Sequence, residues 1–471
     1  MIVRKLLAAF LVIVSLWALE STRSGVSVTW REVGATPVMA FEGQDASGPV
    51  IVIAHGFAGS AQMMQGYGFP LARAGYRVFV FDFLGHGRHT VPMSGDVTAV
   101  DGTTRLLVDQ THAVIDAVSA DGRPVGLLGH SMASDVLVRV ANERDDVGAM
   151  VLLSAFSQEI TPQAPNDLLL LVGDWEPGLR EFALEAAAMA ASAQDLRRDT
   201  VVLPYIEHVS ILQSRLGQTE ALKWFEQTFA RQSECGIGFM GPAIVGLLLG
   251  LVFASVSLAA SLPLRAIPAL DLSSRHVLLV LGLPMLATPV FAAGLETSFM
   301  PVLVADYLAV HLLIYGGLQL LVLALWRVAW GPFSWAGFGL LLLGCVVFGA
   351  ALNRYAANYW PTGDRLWIIG IMSVGAVVFF LADARLSHGA TRAKRILIRV
   401  AFLISLLIAV ALNFSELFFL VMIAPVIVLF YLVFGTMGHA VSIRVGPLAP
   451  GVALGLMLAW SLGVTFPLFQ S

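Results

Sequence analysis

Three residue types occur along the chain in an order that supports nucleophilic catalysis. A serine lies in "GHSMA" (129–133), two carboxylates lie in "LLLLVGDWEPG" (168–178), and a histidine lies in "LPYIEHVSIL" (203–212). A serine hydroxyl attacks poorly until a base takes its proton, and His208 is the candidate base for Ser131. A carboxylate must then fix the imidazole tautomer and stabilise the imidazolium, and either Asp174 or Glu176 can fill that place. An acyl-transfer site also needs donors for the developing oxyanion. The backbone N–H of Met132, beside the serine, and that of Phe57, in "AHGFAGS" (54–60), are the candidates.

These groups need rigid elements to bring them together. Continuous apolar runs occur at 50–54, 77–81, 125–128, 149–153, 168–172 and 200–203, as expected for strands buried on both faces of a parallel sheet. Two extended stretches, 26–33 and 37–42, predict an antiparallel edge hairpin. Helical patterns fall at 60–74, 102–120, 132–142, 177–197 and 217–230. The alternation predicts an α/β doubly wound domain with helices on both faces. Each candidate residue follows the C-terminal end of a run, where such sheets bind their ligands. "GHSMA" after the third run fits a strand-to-helix elbow, with Gly129 and the small Ala133 allowing the sharp turn.

"HGFAGS", "FDFLGHGRH" (81–89), "GHSMAS", "VGDWEPG" and "EHVS" follow one another in an order that resembles the α/β-hydrolase superfamily over residues 48–230. Alanine stands at 133 where the family's elbow ends in glycine, and His89 stands where its D-x-x-G-H-G-x-S turn has serine. The resemblance implies a Ser-acid-His triad. It favours Glu176 over Asp174, because Gly173, Glu176 and Pro177 match the family's G-x-x-D-P spacing. It also explains His55 and His86 as loop residues; with His89 they lack the carboxylate or thiolate company of a zinc site, so neither metal nor cofactor is implied.

Composition adds a second half. The chain is 57% hydrophobic and 13% charged with a net charge of −4, against about 25% charged residues in a soluble domain. The small net charge offers nothing to a nucleic acid, and Cys235 and Cys345 are too far apart in sequence to suggest a disulfide framework. From residue 235 onward, about eight apolar blocks are long enough to cross a bilayer: 236–261, 276–294, 301–326, 335–353, 366–383, 398–413, 416–436 and 447–468. Residues 1–24 carry Arg4 and Lys5 before an apolar run, Leu6 to Leu19, that is short for a span. The run reads as a signal-anchor or a signal peptide, with the anchor favoured because no A-x-A site follows it. Three regions are therefore expected: 1–24, an extracytoplasmic α/β-hydrolase domain at 27–232, and an all-α polytopic transmembrane domain at 235–471.

Orientation rests on charge. Basic residues ahead of the first apolar run keep the N-terminus in the cytoplasm. Counting spans from there puts Arg265, Arg275, Arg327, Arg385, Arg392, Lys394, Arg395 and Arg444 inside. Glu296, the 353–365 loop and Glu416 fall outside. The expected protein is an integral, multi-pass protein of the plasma (inner) membrane. Its expected activity is that of a serine esterase or lipase, or of an acyltransferase, acting on a small-molecule or lipid-like ester. The 154–167 connection is too short to carry a lid, which leaves the site either open to water or roofed by the helices. The competing reading is a transport or receptor protein with a non-catalytic hydrolase-like domain. It rests on Asp306 and His311, ionisable residues inside a predicted span.

Overall fold

The computed structural model describes residues 2–94, 100–119, 122–192, 196–295 and 299–470. It opens with a helix, α1 (Ile2–Arg23), followed by the hairpin β1 (Ser27–Val33) and β2 (Thr36–Glu42). The alternating part then runs β3 (Val50–Ala54), α2 (Gln65–Arg73), β4 (Arg77–Phe81), α3 (Arg105–Val118), β5 (Val125–His130), α4 (Met132–Asn142), β6 (Val147–Leu153), β7 (Asp167–Gly173), α5 (Pro177–Ala188), β8 (Arg197–Leu203) and α6 (Arg215–Thr228). The sheet order is β1-β2-β4-β3-β5-β6-β7-β8, with β1 and β2 antiparallel and the other six strands parallel.

The continuous apolar runs are explained by burial on both faces. Ile51 and Ile53 of β3 pack with Tyr67 of α2 and Phe225 of α6. Val50 and Val52 pack on the other side with Val114 of α3, Leu137 of α4 and Ala183 of α5. This is the doubly wound arrangement expected from the sequence.

Some boundaries differ from expectation. The helix expected over 60–74 begins as a 3₁₀ turn, Ala61–Met64. The one expected over 102–120 becomes regular only at Arg105, after a π-type turn kinked at Gly102. The helix expected over 177–197 ends at Ala188 with one 3₁₀ turn beyond, and Arg197 opens β8, where Arg197 pairs with Asp167 of β7. The parts of these two expectations at 120 and 193–195 lie outside the described residues, as does Glu296.

The second half is helical: α7 (Met240–Ala259), α8 (Ser274–Ala293), α9 (Ala305–Leu325), α10 (Trp335–Tyr355), α11 (Arg365–Ser387), α12 (Arg392–Leu412), α13 (Phe419–Val445) and α14 (Leu448–Thr465). With α1, nine helices among the described residues are long and apolar enough to cross a membrane. The break in "NFSE" falls where expected, because the Asn413 side chain accepts the Glu416 N–H and caps a single turn there. α1 extends beyond its apolar run at both ends, and at 22 residues it is about 33 Å long. It lies against α7, where a Cβ on Gly250 would stand 2.8 Å from Val12 and 3.1 Å from Leu11. Small residues allow such close helix crossings.

The two ends of the helical half differ. One end meets the sheet domain: Gln65 Nε2 donates to Arg354 O (3.2 Å), the Asn358 N–H donates to Ser60 Oγ (3.0 Å), and Arg365 donates to Gly85 O (2.7 Å). At the opposite end arginines tie the connecting loops together. Arg265 donates to Pro332 O (3.1 Å), Arg385 to Ala329 O (3.0 Å) and Arg444 to Leu262 O (3.0 Å).

Candidate active site

β5 carries the serine to the edge of the sheet. Ser131 follows its last residue at φ 53°, ψ −116°, and α4 begins at Met132. A non-glycine residue at positive φ costs roughly 1–3 kcal/mol and persists only where its surroundings impose it. Here the Ser131 N–H donates to Leu153 O (3.0 Å) and the Ser134 N–H to Ser131 O (2.8 Å), which pins both sides of the turn. A Cβ on Gly129 would stand 2.6 Å from Leu137 Cδ1 and 3.3 Å from Ala133 Cβ. Glycine at 129 and a small residue at 133 therefore let α4 fold back on β5.

The three candidate residues meet. His208 Nε2 is 2.8 Å from Ser131 Oγ, and His208 Nδ1 is 2.6 Å from Glu176 Oε1. Glu176 Oε2 accepts from Ser154 Oγ (2.7 Å) and from the Gly173 N–H (3.0 Å). Burial raises the Glu176 pKa, but the hydrogen bonds from His208, Ser154 and Gly173 outweigh it and hold the carboxyl below its ordinary 4.5. Asp174 is placed differently: its Oδ1 accepts the Ile206 N–H (3.2 Å) and steadies the loop that carries His208. A side chain at Gly173 would overlap Ile206 O, so the β7 turn and the His208 loop touch through their backbones.

The other catalytic requirement is a place for an oxyanion. A Cβ on Gly56 would lie 3.1 Å from Ser131 Cβ, so the 54–60 loop abuts the elbow. Among the described residues, neither the Phe57 nor the Met132 N–H has a hydrogen-bond partner. His55 fixes this loop from behind. The Phe83 N–H donates to its Nε2 (3.2 Å), which assigns the proton to Nδ1 and lets that atom donate to Gly56 O (2.8 Å). Asp82 accepts the N–H groups of Ala61 (2.7 Å) and Arg88 (2.9 Å), tying "FDFLGHGRH" to the same loop.

Four contributors were not singled out from the sequence. Ser154 is the first residue after β6, so its place at the C-terminal edge of the sheet was the available signal. His130 donates from Nε2 to His208 O (2.8 Å) and holds the loop of the candidate base. Phe419, at the start of α13, and Phe469, beyond α14, lie beside Phe57 with tilted rings whose centroids are 5.3 and 6.5 Å away, contacts that only the tertiary structure brings about. Asp306 and His311 lie away from this cluster. Asp306 accepts the N–H groups of Phe299 (3.0 Å) and Tyr307 (2.8 Å) in the first turn of α9, and His311 Nε2 pairs with Ser405 Oγ (3.1 Å).

An eight-stranded, mostly parallel sheet with a serine elbow after β5 defines the first half as an α/β-hydrolase domain. Residues 46–199 match the hydrolase family described as serine aminopeptidase, S33, a match that contains Ser131 and Glu176 and ends before His208. The chain is also similar to several solved structures. A CIB-like hydrolase from Thermoplasma acidophilum is 13% identical, covering 43% of this chain and 98% of that one, with a TM-score of 0.36. A membrane phospholipase A, described as a bacterial virulence factor, is 14% identical, covering 47% and 92%, with a TM-score of 0.35. A soluble variant of monoglyceride lipase from Saccharomyces cerevisiae is 11% identical, covering 45% and 97%, with a TM-score of 0.35. No curated protein sequence matches the chain.

Proposed function

We propose that the protein is a membrane-embedded serine hydrolase that cleaves an ester-type acyl bond, with its hydrolase domain on the extracytoplasmic face. The observation that carries this reading is the unbroken relay from Ser131 Oγ through His208 to Glu176, with contacts of 2.8 and 2.6 Å. Ser131 Oγ attacks the carbonyl carbon while His208 Nε2 takes its proton. The Phe57 and Met132 N–H groups hold the oxyanion. Collapse of the tetrahedral adduct returns the proton to the leaving alcohol and leaves an acyl-serine. Water, or an alcohol acceptor, then attacks that ester with His208 again as base. No step requires a cofactor.

The membrane setting is supported by the nine long apolar helices and by arginines gathered at the end of the bundle away from the sheet domain, as a positive-inside arrangement requires. An amphiphilic or lipid-linked ester is supported by the aromatic contact of Phe419 and Phe469 with Phe57, which puts the helical half beside the oxyanion loop. The transport reading has less support, because Asp306 and His311 are each hydrogen-bonded within the helical half.

The test is labelling of the detergent-solubilised, full-length protein with a fluorophosphonate probe. Wild-type protein is expected to label and Ser131→Ala to remain blank. Equal labelling of the two, or none of folded wild type, would overturn the assignment.

A further inference from the structure

A second polar site lies in the helical half, at the end away from the sheet domain. A small cavity there is lined by Asp383 and Ser387 of α11, Arg399 of α12, and Gly435, His439 and Ser442 of α13. Its free volume of about 10 Å³ admits one water-sized group. Asp383 is 2% exposed. Its Oδ1, Arg399 Nε, Arg395 Nε, Ser387 Oγ and the Tyr431 hydroxyl are buried with no hydrogen-bond partner among the described residues.

Asp383 and Arg399 form an ion pair, but one too long to satisfy either group with a hydrogen bond. Asp383 Oδ1 and Arg399 Nε are 3.9 Å apart, beyond hydrogen-bond range. The Arg399 guanidinium instead lies 4.3 Å over the Tyr431 ring. Gly435 makes room for it, since a Cβ there would stand 3.2 Å from an Arg399 guanidinium nitrogen. Leaving several buried polar atoms unpaired is costly, so the arrangement calls for an occupant. That occupant must accept from guanidinium groups and donate to a carboxylate.

Depth narrows the choice. Asp383 is four residues from the end of α11 and Arg399 seven from the start of α12, about 6 and 10 Å in at 1.5 Å per residue. In a bilayer this is the border between hydrocarbon and head groups. Arg392 and Lys394 stand exposed at the same end of α12. Basic pockets at this level suit lipid phosphates, and guanidinium matches phosphate geometry.

We propose that this cavity binds a phosphate ester whose head group also carries a hydrogen-bond donor, a hydroxyl or primary ammonium, from the side opposite the hydrolase domain. The phosphate sits at the mouth against Arg395 and Arg399. The hydroxyl or ammonium enters the one-group cavity and donates to Asp383. Phosphocholine is excluded because its trimethylammonium has no N–H and is too large. The inference rests on the reading of the helical half as bilayer-spanning.

The test is the thermal unfolding of full-length protein in detergent with dihexanoyl phosphatidylglycerol, phosphatidylethanolamine or phosphatidylcholine, and with free glycerol phosphate. The first two are expected to raise Tm by about 2–4 °C at saturation, and phosphatidylcholine to leave it unchanged. Arg399→Gln should abolish the shift, and Asp383→Asn should remove the preference over phosphatidylcholine, with both variants eluting as wild type on size exclusion. An equal shift from glycerol phosphate would support the site and make its ligand a soluble ester; none would make it a lipid. Equal shifts from all three lipids, or an undiminished shift in Arg399→Gln, would overturn the proposal while leaving the bilayer reading standing. Protein that stays monodisperse without detergent would overturn both.

Discussion

His208 has one tautomer open to it when it faces an ionised carboxylate. Glu176 Oε1 only accepts, so Nδ1 carries the proton and Nε2 is left to accept from Ser131. The competing carboxylate, Asp174, spends its Oδ1 on the backbone of the His208 loop. Glu176→Gln should therefore lower kcat by about 10³–10⁴-fold, since the amide offers Nδ1 the wrong partner or tautomer. Asp174→Asn should stay within about threefold, the scale of a surface change of about 0.5 kcal/mol. Steady-state kinetics on a soluble ester would separate the two; equal losses would mean the acid has been misassigned. The two carboxylates are two residues apart on one loop, and sequence alone left both open. The preference for Glu176 came from the Gly173 and Pro177 spacing; in the structure the backbone of Gly173 lies against Ile206 O and Glu176 meets His208 Nδ1.

His55 after β3, His86 and His89 after β4, and His130 at the end of β5 are buried, and burial favours their neutral form. Burial pushes His55, His89 and His130 down to about 4 from 6.5, and His86 well below 6.5. Each takes up a proton more readily in the unfolded chain than in the folded one. Folding stability is then full above pH 6.5 and falls as the pH drops towards 4. Asp82 opposes this: burial raises its pKa to about 6 from 3.8, so the folded state holds its proton more strongly over that window. The four histidines, joined by Glu176 with its carboxyl held below 4.5, outweigh Asp82 and Asp167, whose pKa burial also raises. The unfolding midpoint of the hydrolase domain, followed by thermal melts from pH 7 to pH 4, should fall throughout. A flat or rising profile would show that these side chains are not buried in the neutral form. At this scale the strands were legible, because six apolar runs and a hairpin need no tertiary information. The helix ends were less so: the 177–197 pattern continues through alanines and polar residues, but pairing of Arg197 with Asp167 claims its last residue for β8.

In the whole molecule, the helical half contributes to the surroundings of the candidate site. The tail beyond α14 pairs with the β4 loop, with the Met93 N–H donating to Leu468 O (2.9 Å) and the Leu468 N–H to Gly85 O (2.9 Å), and it brings Phe469 to Phe57. If these aromatics line the path of an acyl chain, the double variant Phe419→Ala, Phe469→Ala should raise KM for a long-chain ester by about tenfold, the loss of about 1.4 kcal/mol of apolar contact. Hydrolysis of the acetate should change less than about twofold, because the relay itself is untouched. Equal losses on both substrates would assign the phenylalanines to positioning the 54–60 loop instead.

The linear order of residues determined the division into a sheet half and a half of long apolar helices, the strand runs, the serine elbow and the order of serine, acid and histidine. All of these depend on local composition and spacing, which short-range sterics and burial translate directly into structure. The tertiary structure decided what depends on distant segments. It determined that Glu176 faces His208, that α13 and the C-terminal tail reach Phe57 in the 54–60 loop, and that Asp383 and Arg399 share a cavity without a hydrogen bond between them. Those contacts are set by how helices and strands cross, and crossing geometry follows from the shapes of whole packed faces, which no single stretch of sequence contains.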